Sequence, residues 1–352
     1  MLNTTISRCE QLLEQGLRDH VYSGAALAVG KGDQIFVKRA IGTVSYEEGA
    51  AVVTPATLFD MASLSKILGT TFCAFHMLQE GSLCLQDTLD ELLPNVPEDK
   101  KQITVFHLMT HTSGIPAEIF LYKECSCPDQ ALETILNTPL AYPTGTNVTY
   151  SCMGYIVLGK IMEKLTGRTL DELAREWTFT PLGMTATGYR PLSSCEPDPT
   201  IAFTETETLN GPCPPGVVHD ENARYLNGIS GNAGVFSNLD DMIRFAVMLS
   251  KGGEPILNRR LFDLACVNYT KGLDENRGLG FQISGPNVTF FGDLFGSDAI
   301  GHTGFTGTSL AVDIHTGLYV VLLTNRVHPT RNNNALTRLR HLIHNAAAGE
   351  FM

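Results

Sequence analysis

Two hairpin patterns constrain the fold most strongly. Residues 309–313 and 318–325 are apolar runs on either side of a turn that contains Gly317. Residues 24–29 and 35–41 form a similar pair around another glycine-containing turn. Short apolar runs that flank such turns predict antiparallel hairpins.

Helical patterns surround these predicted strands. Residues 5–20 and 239–249, together with the closing stretch of the chain, carry apolar side chains at helical spacing. The hairpins can therefore pair into one antiparallel sheet with helices on both faces. The predicted fold class is α/β (α+β), in which residues 1–62 with 225–352 form the sheet lobe and residues 63–224 form a mostly helical lobe. A pocket is expected at their boundary, so the two lobes would make one functional module.

A serine and a lysine three residues apart stand where an apolar helix is predicted to begin. Ser63 and Lys66 would share a helix face, so their side chains can meet. A serine hydroxyl is a useful nucleophile only when a nearby base accepts its proton. Apolar neighbours such as Met61 and Leu64 are expected to disfavour the lysine ammonium and lower the pKa of Lys66. An isolated Ser-x-x-Lys match is weak evidence, because it arises often by chance.

Two further segments supply polar groups for a cleft. Tyr150 lies at a predicted junction between a loop and the helical run of residues 156–165. His302, Thr303 and Gly304 precede the second hairpin. Glycine in or before an edge strand permits a ligand or another backbone to approach closely.

In this order, the three elements resemble those of the penicillin-recognising serine hydrolases, which include class C type β-lactamases, D,D-peptidases, D-aminopeptidases and related esterases. The matching residues are Ser63 and Lys66 in the first element, Tyr150 in the second, and His302, Thr303 and Gly304 in place of the frequent Lys-Thr-Gly. Residues 105–116 and 231–237 also look similar. The resemblance implies a β-lactamase/D,D-peptidase-like fold and a reaction that uses no metal or organic cofactor.

The resemblance implies a two-step acyl transfer, in which Ser63 attacks a carbonyl group and water hydrolyses the acyl-enzyme. Lys66 is the expected acceptor of the serine proton, and Tyr150 would pass a proton to the leaving group, although either could be the general base. A tyrosine with a reference pKa of about 10 serves only if the ammonium stabilises its phenolate. The backbone N–H groups of Ser63 and Phe305 would form the oxyanion hole.

Two departures from the family pattern bear on the substrate. Cys152 stands where many relatives carry an asparagine that contacts a substrate amide carbonyl, and a thiol is a weak donor. His302 replaces the usual lysine of β-lactamases, and an imidazole with a reference pKa of about 6.5 is only partly cationic near neutral pH. We therefore expect an esterase or a peptidase of D-amino-acid type, with weak or absent β-lactamase activity. The expected substrate-binding residues are Cys152, His302, Thr303, Gly304 and Phe305.

Other candidate functions fit less well. His107 and His111 are four residues apart, but no third metal ligand accompanies them. Hydrogen bonding is the favoured interpretation, with His111 bracing the turn at residues 113–114. A non-catalytic binding or scaffold protein of the same fold is the alternative function: Cys152 keeps it open, and the intact catalytic trio argues against it.

Composition narrows the range of partners. A formal net charge of −12 argues against nucleic acid or an anionic membrane, which attract clustered Lys and Arg. No run approaches the roughly 18 apolar residues of a membrane helix. Nine cysteines without a framework spacing suit a reducing compartment. Because residues 1–7 lack signal-peptide features, a cytoplasmic location is expected. The expected partner is a small ester, amide or short peptide substrate.

Overall fold

An antiparallel sheet is the centre of the fold. The computed structural model describes residues 7–190, 197–285 and 290–352. In chain order the strands are β1 (Gly24–Lys31), β2 (Gln34–Gly42), β3 (Phe59–Asp60), β4 (Gly188–Tyr189), β5 (Glu207–Thr208), β6 (Gly211–Pro212), β7 (Val235–Ser237), β8 (Gln282–Ile283), β9 (Ile300–Thr303), β10 (Ser309–Val312) and β11 (Leu318–Thr324). The main sheet has the order β2-β1-β11-β10-β9-β8, and its neighbouring strands are antiparallel.

Helices cover both faces of this sheet. In chain order they are α1 (Arg8–Arg18), α2 (Phe72–Glu80), α3 (Leu89–Leu92), α4 (Val105–Met109), α5 (Leu121–Glu124), α6 (Ala131–Asn137), α7 (Cys152–Thr166), α8 (Leu170–Ala174), α9 (Glu221–Tyr225), α10 (Leu239–Ser250), α11 (Arg259–Ala265) and α12 (Leu336–Phe351). Short 3₁₀ segments lie at Ala62–Leu64, Glu98–Lys100 and Pro128–Gln130, and π-helical turns lie at Lys66–Thr71 and Arg175–Phe179. The predicted mixed fold of an antiparallel sheet and helices is confirmed.

Both predicted hairpins are confirmed. β1 pairs with β2, and β10 pairs with β11. The hairpins join because β1 also pairs with β11, from Ala25 opposite Thr324 to Lys31 opposite Leu318. Every residue of β11 is buried, since α1 and α12 pack against one sheet face and α10 packs against the other. A strand buried on both faces needs a continuous apolar run, which explains the sequence of β11.

The helical part of the chain packs on the sheet face that α10 covers. One continuous apolar core contains Val321 of the sheet, Phe245 of α10, Phe72 of α2 and Ile156 of α7. A small second sheet of order β3-β7-β4 brings the strand before Ser63 beside a much later segment. The division into a sheet lobe and a mostly helical lobe stays a prediction.

The expected location rests partly on residues that the structure does not describe. Residues 1–6, which make up most of the segment without signal-peptide features, lie outside the described residues, as does the start of the predicted 5–20 helix. Within the described ranges, no helix is both long and apolar enough to cross a membrane. The cytoplasmic location and the exclusion of nucleic acid stay predictions.

Candidate active site

Ser63 lies in a strained turn directly after β3. Ala62 has a φ of 45°, a left-handed conformation that residues with a side chain rarely adopt. The buried Asp60 carboxylate holds this turn, because Oδ1 accepts a hydrogen bond from Ala62 N–H at 2.8 Å and Oδ2 accepts one from His219 N–H at 2.7 Å. The turn therefore presents the serine hydroxyl in a fixed position. Asp60 matches no sequence motif, so this role could not be predicted.

The fully buried side chain of Lys66 reaches Ser63 from the π-helical turn that follows. Its Nζ donates hydrogen bonds to Ser63 Oγ at 3.2 Å, to the Asn232 carbonyl oxygen at 2.9 Å and to Cys152 Sγ at 3.5 Å. The predicted meeting of the serine and lysine side chains is confirmed. The regular α-helix expected here begins only at Phe72.

The prediction that apolar surroundings lower the pKa of Lys66 is wrong. Burial acts in that direction, but the neighbouring Cys152 and Tyr150 favour the ammonium and raise the pKa of Lys66 above its ordinary value. Burial also raises the pKa of Tyr150, although the Lys66 charge opposes this change. At neutral pH the resting pair is therefore an ammonium beside a phenol.

Tyr150 lies two residues before α7, at the predicted junction between loop and helix. Ser151 caps this helix, because its Oγ accepts a hydrogen bond from Gly154 N–H at 3.0 Å. The Tyr150 hydroxyl is buried and makes no hydrogen bond of normal geometry with the described residues. Lys66 Nζ lies 4.8 Å from the centre of the Tyr150 ring. The lysine therefore contacts both the serine and the tyrosine.

His111 supports the Tyr150 segment. Its Nδ1 accepts a hydrogen bond from the backbone N–H of the α7 cap residue at 3.1 Å, and its ring centre lies 4.8 Å from that of Tyr150. The predicted hydrogen-bonding role of His111 is confirmed, but its predicted place at residues 113–114 is wrong. His107 Nδ1 accepts a hydrogen bond from Thr104 N–H at 3.1 Å and so helps to cap α4.

His302 lies in β9 and is neutral. Its Nδ1 donates a hydrogen bond to the Thr303 carbonyl oxygen at 2.8 Å. Burial, aided by the charges of Arg277 and Lys66, lowers the pKa of His302 to about 3. The prediction that this imidazole is partly cationic near neutral pH is therefore wrong. Its buried Nε2 has no hydrogen-bond partner within the described ranges.

Gly304 brings the end of β9 against the serine turn. A β-carbon at this position would lie 2.6 Å from the Met61 carbonyl oxygen, so a larger residue would push the strand away. This close approach of two backbones agrees with the reason for expecting glycine here. Phe305, the next residue, is 48% exposed beside the cleft.

Ser63, Tyr150 and Phe305 border two cavities. The larger, of about 400 Å³, also borders His302, Thr303 and Gly304, and its charged lining residues are Glu275, Arg277, Arg326 and Arg340. The smaller, of about 240 Å³, also borders Cys152, and its charged lining residues are Glu118, Asp220, Glu221 and Arg331. The predicted substrate-binding residues are thus divided between the two cavities, and their contacts with a substrate stay predictions.

Two arginines of the larger cavity, Arg277 and Arg340, were not predicted as site residues. Residues 325–329, which contain Arg326, follow a predicted strand and by their sequence could equally line the cleft or join the last helix to the sheet. Arg277 precedes β8, and its Cζ lies 5.2 Å from the centre of the Tyr150 ring. Arg326 follows β11, and Arg340 lies in α12. These residues come from three separate segments and match no motif. The sequence alone therefore offered no signal that they share a cavity.

Comparison with known sequences identifies a family and two relatives to which this chain is similar. A family model described as Beta-lactamase matches residues 9–345. The chain is 32% identical over 366 residues to the N-acetylmuramyl-L-alanine amidase of Bacillus subtilis (strain 168), covering 92% of this chain and 81% of that protein. It is 32% identical over 362 residues to an Escherichia coli (strain K12) protein named as a D-alanyl-D-alanine carboxypeptidase, covering 89% and 82%.

A solved structure shares the fold. EstCE1, described as a hydrolase with promiscuous acyltransferase activity, matches with a TM-score of 0.78 at 22% identity. The match covers 97% of this chain and 98% of that chain. Its sheet and helices therefore correspond to those described above over nearly their whole length.

Proposed function

Because this chain belongs to the beta-lactamase family, it is a serine hydrolase of β-lactamase fold, and we propose that Ser63 forms an acyl-enzyme with small ester or amide substrates. The contact at 3.2 Å between Ser63 Oγ and Lys66 Nζ, beside Tyr150, carries this proposal. One relative is named as an amidase and another as a carboxypeptidase, which supports amides and short peptides beside esters.

Acylation needs a proton acceptor next to Ser63. When Ser63 Oγ bonds to the substrate carbonyl carbon, its proton passes to the pair formed by Lys66 and Tyr150. In the resting state Lys66 and Tyr150 each hold a proton, so the pair can accept the serine proton only after it has lost one of them. The two side chains titrate as a unit. As the bond to the leaving group breaks, the pair returns a proton to the departing oxygen or nitrogen.

The carbonyl oxygen gains negative charge in this step. We assign its stabilisation to the backbone N–H groups of Ser63 and Phe305, neither of which donates a backbone hydrogen bond within the described part of the chain. Donors that are fixed before the reaction stabilise developing charge without reorganisation. Gly304 and Thr306 support this assignment, because Gly304 lets the two backbone segments approach closely and Thr306 Oγ1 donates a hydrogen bond to the Asp60 carbonyl oxygen at 2.7 Å.

The substrate class follows from the two departures from the family pattern. Cys152 Sγ lies 3.5 Å from Lys66 Nζ and offers no amide group to a substrate carbonyl. His302 is neutral and supplies no charge for a carboxylate. These features support weak or absent β-lactamase activity and an ester or a peptide as the substrate.

Mass spectrometry of the intact protein tests the proposal. The protein is exposed to short-chain nitrophenyl esters, D-amino-acid amides, D-Ala-D-Ala peptides and a penicillin. We expect a mass increase equal to one acyl group with an ester or amide, and none in Ser63→Ala. Ser126→Ala, which removes an exposed hydroxyl away from both cavities, is the matched control and should acylate as the parent does. An adduct that persists in Ser63→Ala would exclude Ser63 as the nucleophile.

A further inference from the structure

The smaller cavity borders a histidine that the proposed acylation does not use. His219 lines this cavity together with Ser63 and is only 3% exposed. Its Nε2 donates a hydrogen bond at 2.9 Å to Oε2 of Glu205, which is also buried. Glu205 precedes β5 and His219 precedes α9. The two residues therefore form a histidine-carboxylate pair beside the cavity that Ser63 borders.

The carboxylate of Glu205 fixes the position of the proton on the histidine ring. Burial alone would raise the pKa of Glu205, but hydrogen bonds from His219 and Arg331 lower it to about 2. Arg331 holds both carboxylate oxygens, because its backbone N–H donates to Oε1 at 2.7 Å and its Nε donates to Oε2 at 2.6 Å. An ionised carboxylate only accepts hydrogen bonds, so a neutral His219 ring carries its proton on Nε2 and a lone pair on Nδ1.

The lone pair on Nδ1 of His219 is available. Nδ1 makes no hydrogen bond with the residues that the structure describes, and it is not fully enclosed by them. The adjoining cavity, of about 240 Å³, has room for several water molecules at about 30 Å³ each. A water molecule in this cavity can therefore give a proton to Nδ1.

Contacts of His219 keep it close to the groups that act on the substrate. The Asp60 carboxylate accepts hydrogen bonds from His219 N–H at 2.7 Å and from Ala62 N–H at 2.8 Å, so it connects the histidine to the residue before Ser63. The His219 ring also stacks on that of Phe305, with ring centres 5.8 Å apart and 22° between the ring planes. His219 is therefore joined to both segments to which we assign the oxyanion donors.

From this arrangement we infer that His219 is the general base that activates water for hydrolysis of the acyl-enzyme, and that Glu205 positions its ring. The inference rests on the proposed acyl-enzyme at Ser63. An imidazole is the side chain that most often serves as a general base, and it acts on its proton directly or through one water molecule. The carboxylate of Glu205 stabilises the imidazolium that forms.

The protons of this step balance. As the water oxygen bonds to the acyl carbon, one water proton passes to Nδ1 of His219. The bond between the acyl carbon and Ser63 Oγ then breaks, and Oγ takes a proton from the pair formed by Lys66 and Tyr150. The proton on Nδ1 returns to this pair through solvent, and the product is a carboxylic acid. A base outside the pair is useful, because the pKa values of Lys66 and Tyr150 are raised and the deprotonated pair is scarce.

Rapid-quench mass spectrometry with a nitrophenyl ester tests the inference, because it measures formation and loss of the acyl-enzyme separately. In His219→Gln, the amide keeps a donor for Glu205 but supplies no basic nitrogen. We expect the acyl-enzyme to form at nearly the parent rate and to be hydrolysed about 100-fold more slowly, so that it accumulates. Hydrolysis at the parent rate in His219→Gln would overturn the inference.

A purely structural role of His219 gives a different result. The oxyanion donors act in both steps, so a disturbed oxyanion hole slows acylation and hydrolysis alike, and equal losses would reject a general base. His315→Gln is the matched control, because it removes another histidine-carboxylate pair, that of His315 with Asp298, away from both cavities. It should keep both parent rates. No acyl-enzyme in the parent would instead reject the proposed acylation of Ser63 itself.

Chemical rescue supplies a second readout that a structural role would not change. In His219→Ala, the space left by the ring adjoins the smaller cavity, so added imidazole should speed hydrolysis of the acyl-enzyme at least about tenfold without changing acylation. Absence of rescue in a folded variant with slow hydrolysis would contradict the inference.

Glu118 is the competing base in the same cavity. Burial and the carboxylate of Asp220 raise the pKa of Glu118 to about 6. Its exposed side chain accepts a single hydrogen bond within the described ranges, from Asn222 Nδ2 at 3.3 Å, so it is held less firmly than His219. Glu118→Gln should therefore hydrolyse the acyl-enzyme at nearly the parent rate. Slow hydrolysis in Glu118→Gln, with the parent rate in His219→Gln, would assign the role to Glu118.

Discussion

We expect the protonation of two side chains, Lys66 and Tyr150, to control the reactivity of Ser63. The pKa values of Lys66 and Tyr150 both lie above their ordinary values, so the deprotonated pair is scarce at neutral pH. At pH values below the controlling pKa, the population of the deprotonated pair rises about tenfold for each unit by which the pH increases. We therefore expect kcat/KM for a neutral nitrophenyl ester to rise about tenfold per unit between pH 6 and 9.

Stopped-flow measurements over this range check the pH dependence, with the rate of Ser63→Ala subtracted as background. His302 cannot produce the rise, because its pKa of about 3 keeps it neutral throughout. A profile that is flat from pH 6 upward would mean that the base is already deprotonated, contrary to the charges assigned to Lys66 and Tyr150.

We expect the thiol at position 152 to limit recognition of a substrate amide. Cys152→Asn introduces a donor where many relatives have one, and a hydrogen bond to a neutral group contributes about 1 kcal/mol. We expect acylation by a penicillin to become about fivefold faster in Cys152→Asn, as measured by mass spectrometry over time. Cys152→Ala removes the thiol without adding a donor and is the control. Equal gains in both variants would assign the effect to loss of the thiol.

At the scale of elements, Gly231 determines how closely the segment before β7 packs on α7. A β-carbon at Gly231 would overlap the Tyr155 carbonyl oxygen. The adjacent Asn232 carbonyl accepts a hydrogen bond from Lys66, so a displaced segment would also disturb the position of Lys66. Gly231→Ala should lower the free energy of unfolding by about 2 kcal/mol and reduce kcat.

Denaturant unfolding and ester hydrolysis measure these two effects. Gly188→Ala is the matched control, because no atom lies within 4 Å of the β-carbon that it adds. Gly188→Ala should leave both quantities near the parent values. If Gly231→Ala behaved in the same way, the tight packing of this segment on α7 would have no energetic importance.

Elements with a strong local pattern could be predicted from sequence. The hairpins around Gly317 and near the start of the chain follow from apolar runs and turns, and Ser63 and Lys66 meet because spacing alone brings them together. The left-handed Ala62 and the π-helical turn could not be predicted, because the contacts of the Asp60 carboxylate with His219 and of Lys66 with the Asn232 carbonyl depend on tertiary structure. The protonation states of Lys66 and His302 could not be predicted either, because they depend on neighbouring groups that only the tertiary structure brings close.

At the scale of the whole molecule, buried neutral histidines make the fold sensitive to acid. Burial depresses the pKa of His111 well below its usual range and that of His302 and His344 to about 3. Between about pH 3 and 6.5, these histidines therefore bind protons in the unfolded chain but stay neutral in the folded chain. The free energy of unfolding falls as the pH falls. Each such histidine contributes a slope of about 1.4 kcal/mol per pH unit.

His344→Phe isolates one of these contributions. The His344 ring packs beside Phe290 and Phe295, so phenylalanine retains an aromatic contact without a titrating group. The slope of the unfolding free energy between pH 6 and 4 should decrease by about 1.4 kcal/mol per unit relative to the parent. Urea unfolding at several pH values provides this slope. Parallel curves for parent and variant would mean that His344 is protonated in the folded state.

The pairing of β1 with β11 also affects how the chain can be synthesised. Ala25 faces Thr324, so this pair of interior strands joins segments about 300 residues apart. During translation the β1-β2 hairpin emerges early, yet an isolated hairpin is only marginally stable in water. Its apolar edge must wait until β11 leaves the ribosome, and exposed strand edges of this kind promote aggregation. A nascent chain that stops before residue 318 would therefore lack a strand from the middle of its sheet, and the growing protein depends on protection of that edge until β11 has been synthesised.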